Sequence, residues 1–213
     1  MAICIIKSIS QLDEKFILTP ERYNPRRRMS VKTQGMKLSE IVYISEETIT
    51  MKNSALREFY QINTGDAMGG YLQIPSSKTT LKSNKKILRK GDVIISRLRP
   101  YLKQIAYVDE TKGEDALYAS TEFYVLRSRN TESISFLVPY LLSNAVQTVF
   151  ENAVEGSQHP RFKVEDLNNL IIPETIYCNK QRISQEVEKS LEHYRRYEKI
   201  LSEQVQFNNN NID

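Results

Sequence analysis

The chain of 213 residues is poor in the residue types that bind metals and nucleotide phosphates, with two cysteines, two histidines, seven glycines and no tryptophan. Cys4 and Cys178 belong to no C-x-x-C pair, so we interpret each as a small buried apolar residue in a reducing compartment. A zinc site needs several nitrogen or sulfur ligands at short spacing, and a chain whose only histidines are His159 and His193 does not provide them. We therefore expect no bound metal.

Long apolar runs are also missing. No stretch approaches the roughly 18–20 residues that a helix needs to cross a bilayer. The opening stretch MAICIIKSISQLDEK does not have the basic-then-apolar order of a secretory signal. The sequence therefore predicts a cytoplasmic protein without a membrane partner.

Signatures of group-transfer chemistry are absent as well. The glycines form neither G-x-G-x-x-G nor a phosphate-binding loop, so no cradle for a nucleotide-like cofactor is evident. An amino-methylating enzyme is expected to carry an Asn/Asp-Pro-Pro-aromatic tetrapeptide. The nearest stretch, NPRR at residues 24–27, does not have the second proline or the aromatic residue. We predict a chain that is not an enzyme and uses no cofactor.

Two weaker catalytic patterns remain. Asp92 and the Glu110-Thr111-Lys112 triplet superficially match the acid and Glu-x-Lys of a magnesium nuclease, but the segment 109–115 is typical of an exposed turn. His159 lies two residues from Ser157, yet neighbouring loop residues seldom form a proton relay and no oxyanion motif is present. We favour a strand-start role for Asp92 and a polar turn role for His159.

Positive charge is local rather than general. The chain has 30 basic and 26 acidic residues, a net charge of +4. Residues 82–103 hold eight basic residues against the single acid Asp92, a net charge of +7, and a second cluster is Arg26-Arg27-Arg28. Clustered cations neutralise nucleic-acid phosphates, which is the sequence-independent part of DNA affinity. The alternative for residues 82–90 is a solvated loop.

Short runs of branched and aromatic residues, separated by turn residues, predict strands over 41–44, 58–62, 71–74, 92–96, 104–108, 123–126 and 170–172. Apolar residues at helical spacing predict helices over 133–142 and 143–153. The pattern indicates an α+β fold, in which a mixed, curved β-sheet domain with packed helices precedes a long C-terminal coiled-coil-like helix.

That helix is predicted from CNKQRISQEVEKSLEHYRRYEKILSEQVQ, in which Val187, Tyr194 and Leu201 recur every seven residues. About 26 residues at 1.5 Å each make a rod of about 40 Å. Its circumference is mostly polar, which favours an arm that pairs with another helix. The alternative is a terminal helix that lies on the sheet.

Several segments in order resemble the target-recognition domains of DNA-specificity subunits of Type I restriction–modification systems. GDVIISRLRPYL (91–102) is similar to the family's GDVLISR…P signature, and ASTEFYVL (119–126) follows it after a short strand. GSQHPR (156–161), VEDL (164–167) and LIIP (170–173) lead to QRI (181–183), which is similar to the family's EQ-x-x-I at the start of its long helix. Upstream, LTPERY (18–23) and KLSEI (37–41) resemble the segments that open the family's domain.

The resemblance covers nearly the whole chain. It implies a non-catalytic subunit that reads double-stranded DNA and directs methyltransferase (M) subunits, with a restriction (R) subunit as a further partner. Family members carry two recognition domains and two spacer helices, whereas this chain has one of each. It therefore corresponds to a half-subunit that pairs with a second copy, or to a fragment. The alternatives are the recognition domain of a related modification or phage-defence system and a stand-alone DNA-binding protein.

The expected domains are an N-terminal arm (1–30), a target-recognition domain (31–175), a spacer and dimerisation helix (176–206) and a disordered tail (207–213). The side chains of Arg97, Arg99, Gln104, Gln158 and Arg161 suit bidentate contacts with base edges, although an inward-facing arginine pair that bonds acidic residues is the rival for Arg97 and Arg99. The predicted DNA-binding residues are Lys85, Lys86, Arg97, Arg99, Tyr101, Lys103, Gln104, Gln158, His159 and Arg161. The predicted homodimer residues are Ile183, Val187, Leu191, Tyr194 and Leu201.

Overall fold

Thirteen short strands and six helices form the part of the chain that the computed structural model describes, residues 34–50, 57–113, 116–154 and 160–211. The strands are β1 Gly35–Lys37, β2 Val42–Ile44, β3 Thr48–Ile49, β4 Glu58–Ile62, β5 Ala67–Met68, β6 Tyr71–Leu72, β7 Thr79–Thr80, β8 Lys85–Leu88, β9 Val93–Ser96, β10 Ile105–Tyr107, β11 Leu117–Ser120, β12 Phe123–Ser128 and β13 Ile171–Pro173. The helices are α1 Leu38–Ile41, α2 Leu137–Leu142, α3 Asn144–Ala153, α4 Val164–Asn168, α5 Glu174–Cys178 and α6 Lys180–Asn209.

A four-stranded antiparallel sheet of order β10-β9-β12-β2 is the middle layer. All four residues of β9, VIIS, are buried, as expected for a strand covered on both faces. Val93 and Ile95 face one hydrophobic cluster, which contains residues of α2 and α3, while Ile94 faces a second cluster. The apolar residues of β9 therefore explain why this sheet can be covered on both faces, by the first cluster on one side and by the second cluster on the other.

The second layer is a five-stranded mixed sheet of order β3-β8-β11-β4-β7, in which only the β11–β4 pair is parallel. Ile62, Leu88 and Leu117 project from it into the second cluster. Strand β8 carries lysines at its start, and the charge pattern of residues 82–90 alone predicts a phosphate-binding segment or a solvated loop. Pairing of β8 with both β3 and β11 draws it into the sheet despite its charge.

Helix α6 has 30 residues and is about 45 Å long. Its first half lies on the domain, where Ile183 and Val187 pack against the first cluster and Leu191 is buried. Every residue from 199 to 211 is exposed. The helix thus combines the two interpretations of the sequence: its residues up to Glu198 contact the domain, and residues 199–209 are exposed.

Two local expectations are corrected. Cys178 is exposed at the end of α5 and is not a buried apolar residue, because in the last turn of that helix it is Ile176 and Tyr177 that pack against the core. The long helix continues to Asn209, into the segment 207–213 that was predicted to be disordered, and the Asn210 amide still donates to the Gln206 carbonyl at 3.1 Å. Cys4 and the arm 1–30 lie outside the described residues.

Candidate nucleic-acid interface

The loop that follows β9 carries five of the ten predicted DNA-binding residues. Strand β9 ends at Ser96, whose hydroxyl donates to the Leu98 carbonyl at 3.1 Å and folds the chain away from the sheet. Their spacing of two would place Arg97 and Arg99 on one face of a strand, but both lie beyond the end of β9, so that interpretation of the spacing is wrong. We call residues 97–104 the recognition loop.

The middle of the recognition loop is a tight 3-10 turn, Pro100–Leu102. It is flanked by Arg99 at φ 50° and Lys103 at φ 51°, and these are left-handed conformations that non-glycine residues rarely adopt. The Lys103 amide closes the turn by donating to the Pro100 carbonyl at 2.8 Å. Tyr101 is left exposed at the tip. Such backbone conformations persist where the surroundings hold them and are frequent at functional sites.

A second segment, Pro160 to Phe162, holds the recognition loop in place. The Arg99 amide donates to the Pro160 carbonyl at 2.9 Å, and the Phe162 amide donates to the Arg97 carbonyl at 3.2 Å. Leu98 and Arg161 form an isolated antiparallel bridge between these bonds. The structure thus brings Arg161 beside the loop, although 62 positions separate Arg161 from Arg99 in the sequence. Gln158 and His159 lie outside the described residues.

Glu122, in the turn between β11 and β12, joins the two arginines. It accepts from Arg97 Nε at 3.1 Å, and from Arg161 Nε at 2.9 Å and a second guanidinium nitrogen at 2.8 Å. The Arg161 hydrogen bonds, followed by those of Arg97, hold the pKa of Glu122 below its usual value. The rival interpretation, an arginine that bonds an acid, therefore applies to Arg97, while Arg99 is not bound to Glu122. Sequence reasoning missed Glu122 because nothing in its motif marks it as a partner of Arg161.

Both arginines keep part of their surface in solvent, with 37% of the Arg97 and 39% of the Arg161 side chain exposed. A guanidinium fixed on one edge by a carboxylate has a defined orientation, which is what bidentate reading of a base edge needs. Lys103 and Gln104 complete the loop and are half-buried. Their roles toward DNA stay predictions.

Lys85 and Lys86 lie away from the recognition loop, on β8, and both are buried, with 9% and 8% of their surfaces exposed. The Lys86 ammonium donates to the Ser45 carbonyl at 3.5 Å and is 3.7 Å from a Glu46 carboxylate oxygen. Their contact with DNA also stays a prediction. Because Lys86 is buried and paired, a contact between its ammonium group and a DNA phosphate is unfavourable.

The acids of the superficial nuclease pattern are used in ion pairs. Asp92 is 1% exposed and accepts from Arg127 Nε at 2.8 Å and from a second Arg127 nitrogen at 2.8 Å. Glu110 is 3.4 Å from Arg195 on α6. Within the described ranges, no group of three or more His, Cys, Asp or Glu residues could hold a metal ion. The helices in those ranges also include none with the length and apolar character of a membrane span.

The predicted dimer residues fall into two groups. Ile183, Val187 and Leu191 pack on the domain of their own chain. Tyr194 packs against Tyr71 with the two rings tilted by 51° and their centroids 4.1 Å apart, and Leu201 is exposed. Further exposed apolar residues of α6 are Tyr197, Ile200, Val205 and Phe207. Homodimerisation itself stays a prediction.

No protein-family model and no curated protein matches the sequence. Solved structures do match. One is a chain from a type I R-M system studied for complex assembly and conformational transition, with a TM-score of 0.57, 24% identity, and coverage of 80% of this chain and 45% of that chain. Another is the HsdS subunit from Thermoanaerobacter tengcongensis, with a TM-score of 0.53, 23% identity, and coverage of 79% and 44% of the two chains.

The chain thus spans less than half of the length of the solved structures to which it is similar. The similarity establishes the fold: a mixed α+β domain with a long C-terminal helix, as in HsdS. The fold that the sequence motifs implied is confirmed.

Proposed function

We propose that the chain is a non-catalytic DNA-recognition subunit that directs a partner methyltransferase, and the restriction complex, to a target sequence. One observation carries the proposal: the described domain and helix are similar in fold to part of an HsdS subunit. That part is less than half of the HsdS chain. The recognition loop supports it, since backbone hydrogen bonds hold the part of the loop that carries Arg97 and Arg99 beside the segment that carries Arg161. Phosphate contacts would position the subunit, and side chains at base edges would specify the sequence.

A methylation assay tests this function. The chain is expressed with the methyltransferase of a neighbouring reading frame, one that carries the Asn-Pro-Pro-aromatic tetrapeptide, and methylated positions on genomic DNA are mapped. We expect methylation at one defined sequence only when the chain is present. A methyltransferase whose target choice is the same with and without the chain would overturn the proposal.

Two copies acting together would read a target in two parts, and the second half of α6 offers the surface for their association. Leu201 and Val205 lie four residues apart on one helix face, and both are exposed, as are Tyr197 and Ile200 nearby. Burial of such a stripe against an identical stripe removes apolar surface from water without disturbing the domain.

Light scattering of the Leu201→Asp, Val205→Asp variant tests the pairing. We expect a dimer mass for the wild type and a monomer mass for the variant. The matched control is Ser202→Asp, Gln206→Asp, which adds the same charges one residue further along, and it should remain dimeric. A wild-type monomer, or a dimer that survives in the first variant, would contradict the pairing. Val187 and Leu191 are unsuitable for this test because aspartates there would open the core.

A further inference from the structure

A polar groove lies on the five-stranded sheet, away from the recognition loop. It has a volume of about 960 Å³ and lies between β4, β7, the start of β8 and the segment 73–77. Amide, hydroxyl and ammonium groups dominate its lining, among them those of Gln61, Asn63, Gln73, Thr79, Lys82 and Lys85. Two acids, Glu58 and Asp66, also line it. The Asp66 carboxylate already accepts a hydrogen bond from the backbone N–H of Asn63, at 2.7 Å.

Lys85 is the unusual member of this groove. Only 9% of its surface is exposed, and its backbone pairs with Ser120 on β11 and with Ile49 on β3. Within the described ranges no hydrogen bond or ion pair reaches its ammonium group. Burial alone lowers the pKa of Lys85, with no compensating acid. The side chain of Lys85 is therefore mostly covered, while its ammonium group is not among the buried unpartnered atoms and opens to the groove. It is available there to an anionic ligand.

Lys86, the next residue, allows a comparison with Lys85 in burial and in partners. Successive strand residues point to opposite faces, so Lys86 faces away from the groove. Lys86 is as buried as Lys85 but is paired with the Ser45 carbonyl and Glu46. Of these two adjacent lysines, whose burial is similar, Lys86 has two partners and Lys85 has none among the residues that the structure describes.

The groove is joined to the recognition loop by β11. Lys85 pairs with Ser120, the last residue of that strand, and the Ser120 hydroxyl accepts from the Glu122 amide at 3.3 Å. Glu122 in turn holds Arg97 and Arg161. A polyanion that contacts the loop arginines would thus continue along the end of β11 toward the groove.

We propose that this groove binds a backbone phosphate of the DNA that the recognition loop reads, with Lys85 as the cation facing the phosphodiester. The exposed Lys82 at the rim, together with the amide and hydroxyl donors, completes a site for phosphate oxygens. This inference rests on the proposed DNA-recognition function. It adds a second contact surface, which contributes affinity without sequence preference.

The test measures binding of the complex of chain and methyltransferase to random-sequence duplex DNA as a function of salt. Each phosphate contact adds about 0.9 to the slope of log K against log salt. Lys85→Met keeps the apolar stem and removes the charge, so its slope should be shallower by about 0.9. Between about 50 and 200 mM salt the wild type should lose about 3.5-fold more affinity than the variant. Lys85→Arg should restore the wild-type slope.

Lys189→Met is the control, because Lys189 is exposed on α6 and does not line the groove, and it should leave the slope unchanged. A urea titration separates binding from folding, and Lys85→Met should be at least as stable as the wild type because it removes a desolvated charge. An unchanged slope in Lys85→Met, an equal effect in Lys189→Met, or a lower urea midpoint in Lys85→Met would overturn the groove assignment. A wild-type complex that binds no DNA would overturn the proposed function together with it.

Discussion

Replacement of Arg195 by methionine should weaken the attachment of α6 to the domain. Arg195 Nε and a second guanidinium nitrogen each donate to Asp109 at 2.8 Å, and the latter nitrogen also donates to the Leu72 carbonyl at 2.8 Å. The guanidinium carbon lies 4.3 Å from the centroid of the Tyr71 ring. One side chain on the helix thus binds three residues of the domain.

The expected cost follows from burial. The side chains of Arg195 and Asp109 are only 16% and 14% exposed, so the variant leaves a carboxylate in a site with little water. Removing one partner of a buried pair costs 3–5 kcal/mol, and residual exposure sets the expectation at the lower end, about 3 kcal/mol of unfolding free energy. The methionine keeps most of the apolar stem, so lost packing adds little.

Urea unfolding measures the loss, and Arg196→Met is the control, since Arg196 is exposed and has no ion pair within the described ranges. That control should change the unfolding free energy by less than about 0.5 kcal/mol. A double-mutant cycle with Asp109→Asn should show coupling of at least about 1 kcal/mol. Equal losses in the two arginine variants, or coupling near zero, would refute the view that this pair fixes the helix to the domain.

Two further predictions concern a turn and a carboxylate. Gly70 has φ +91°, and a Cβ there would lie 2.7 Å from a Val138 methyl, so Gly70→Ala should cost about 1–3 kcal/mol in urea unfolding; Gly65→Ala, with no atom within 4 Å, should be neutral. Because the folded-state pKa of Glu122 is lowered from 4.5, its carboxylate stabilises the fold above that pH and this contribution disappears as the pH falls through the lower pKa. The stability advantage of wild type over Glu122→Gln should therefore be constant near neutral pH and shrink below about pH 4.5, and a difference that does not change with pH would contradict it.

The elements that were predicted from sequence are those with an apolar pattern of their own. The run VIIS gave β9 directly, and residues 58–62 are β4 with the predicted bounds. The long helix was also evident, since its apolar spacing does not depend on the rest of the chain. In these segments the local apolar pattern agrees with the burial in the folded domain, so a single sequence is sufficient to predict the element.

The remainder depended on partners distant in sequence. Strand β8 begins with two lysines, and only its pairing with β3 and β11 makes it a strand. Glu122 belongs to the candidate interface because the fold brings two arginines to it that are distant in sequence. Arg97 precedes Glu122 in the chain, and Arg161 follows it. The division of α6 into a packed half and an exposed half likewise depends on Tyr71 and Asp109, whose contacts no helical periodicity reveals.

The pairing of β1 with β13 has a consequence for the order of folding. These strands join Gly35 to Pro173 and Lys37 to Ile171, so the contact closes almost the entire domain into one loop. Loop closure over such a separation is entropically costly, and folds rich in such contacts form slowly. During synthesis the domain can reach its final packing only after residue 173 has left the ribosome. Truncation just before β13 should therefore prevent folding, whereas truncation within residues 199–211 should leave it intact.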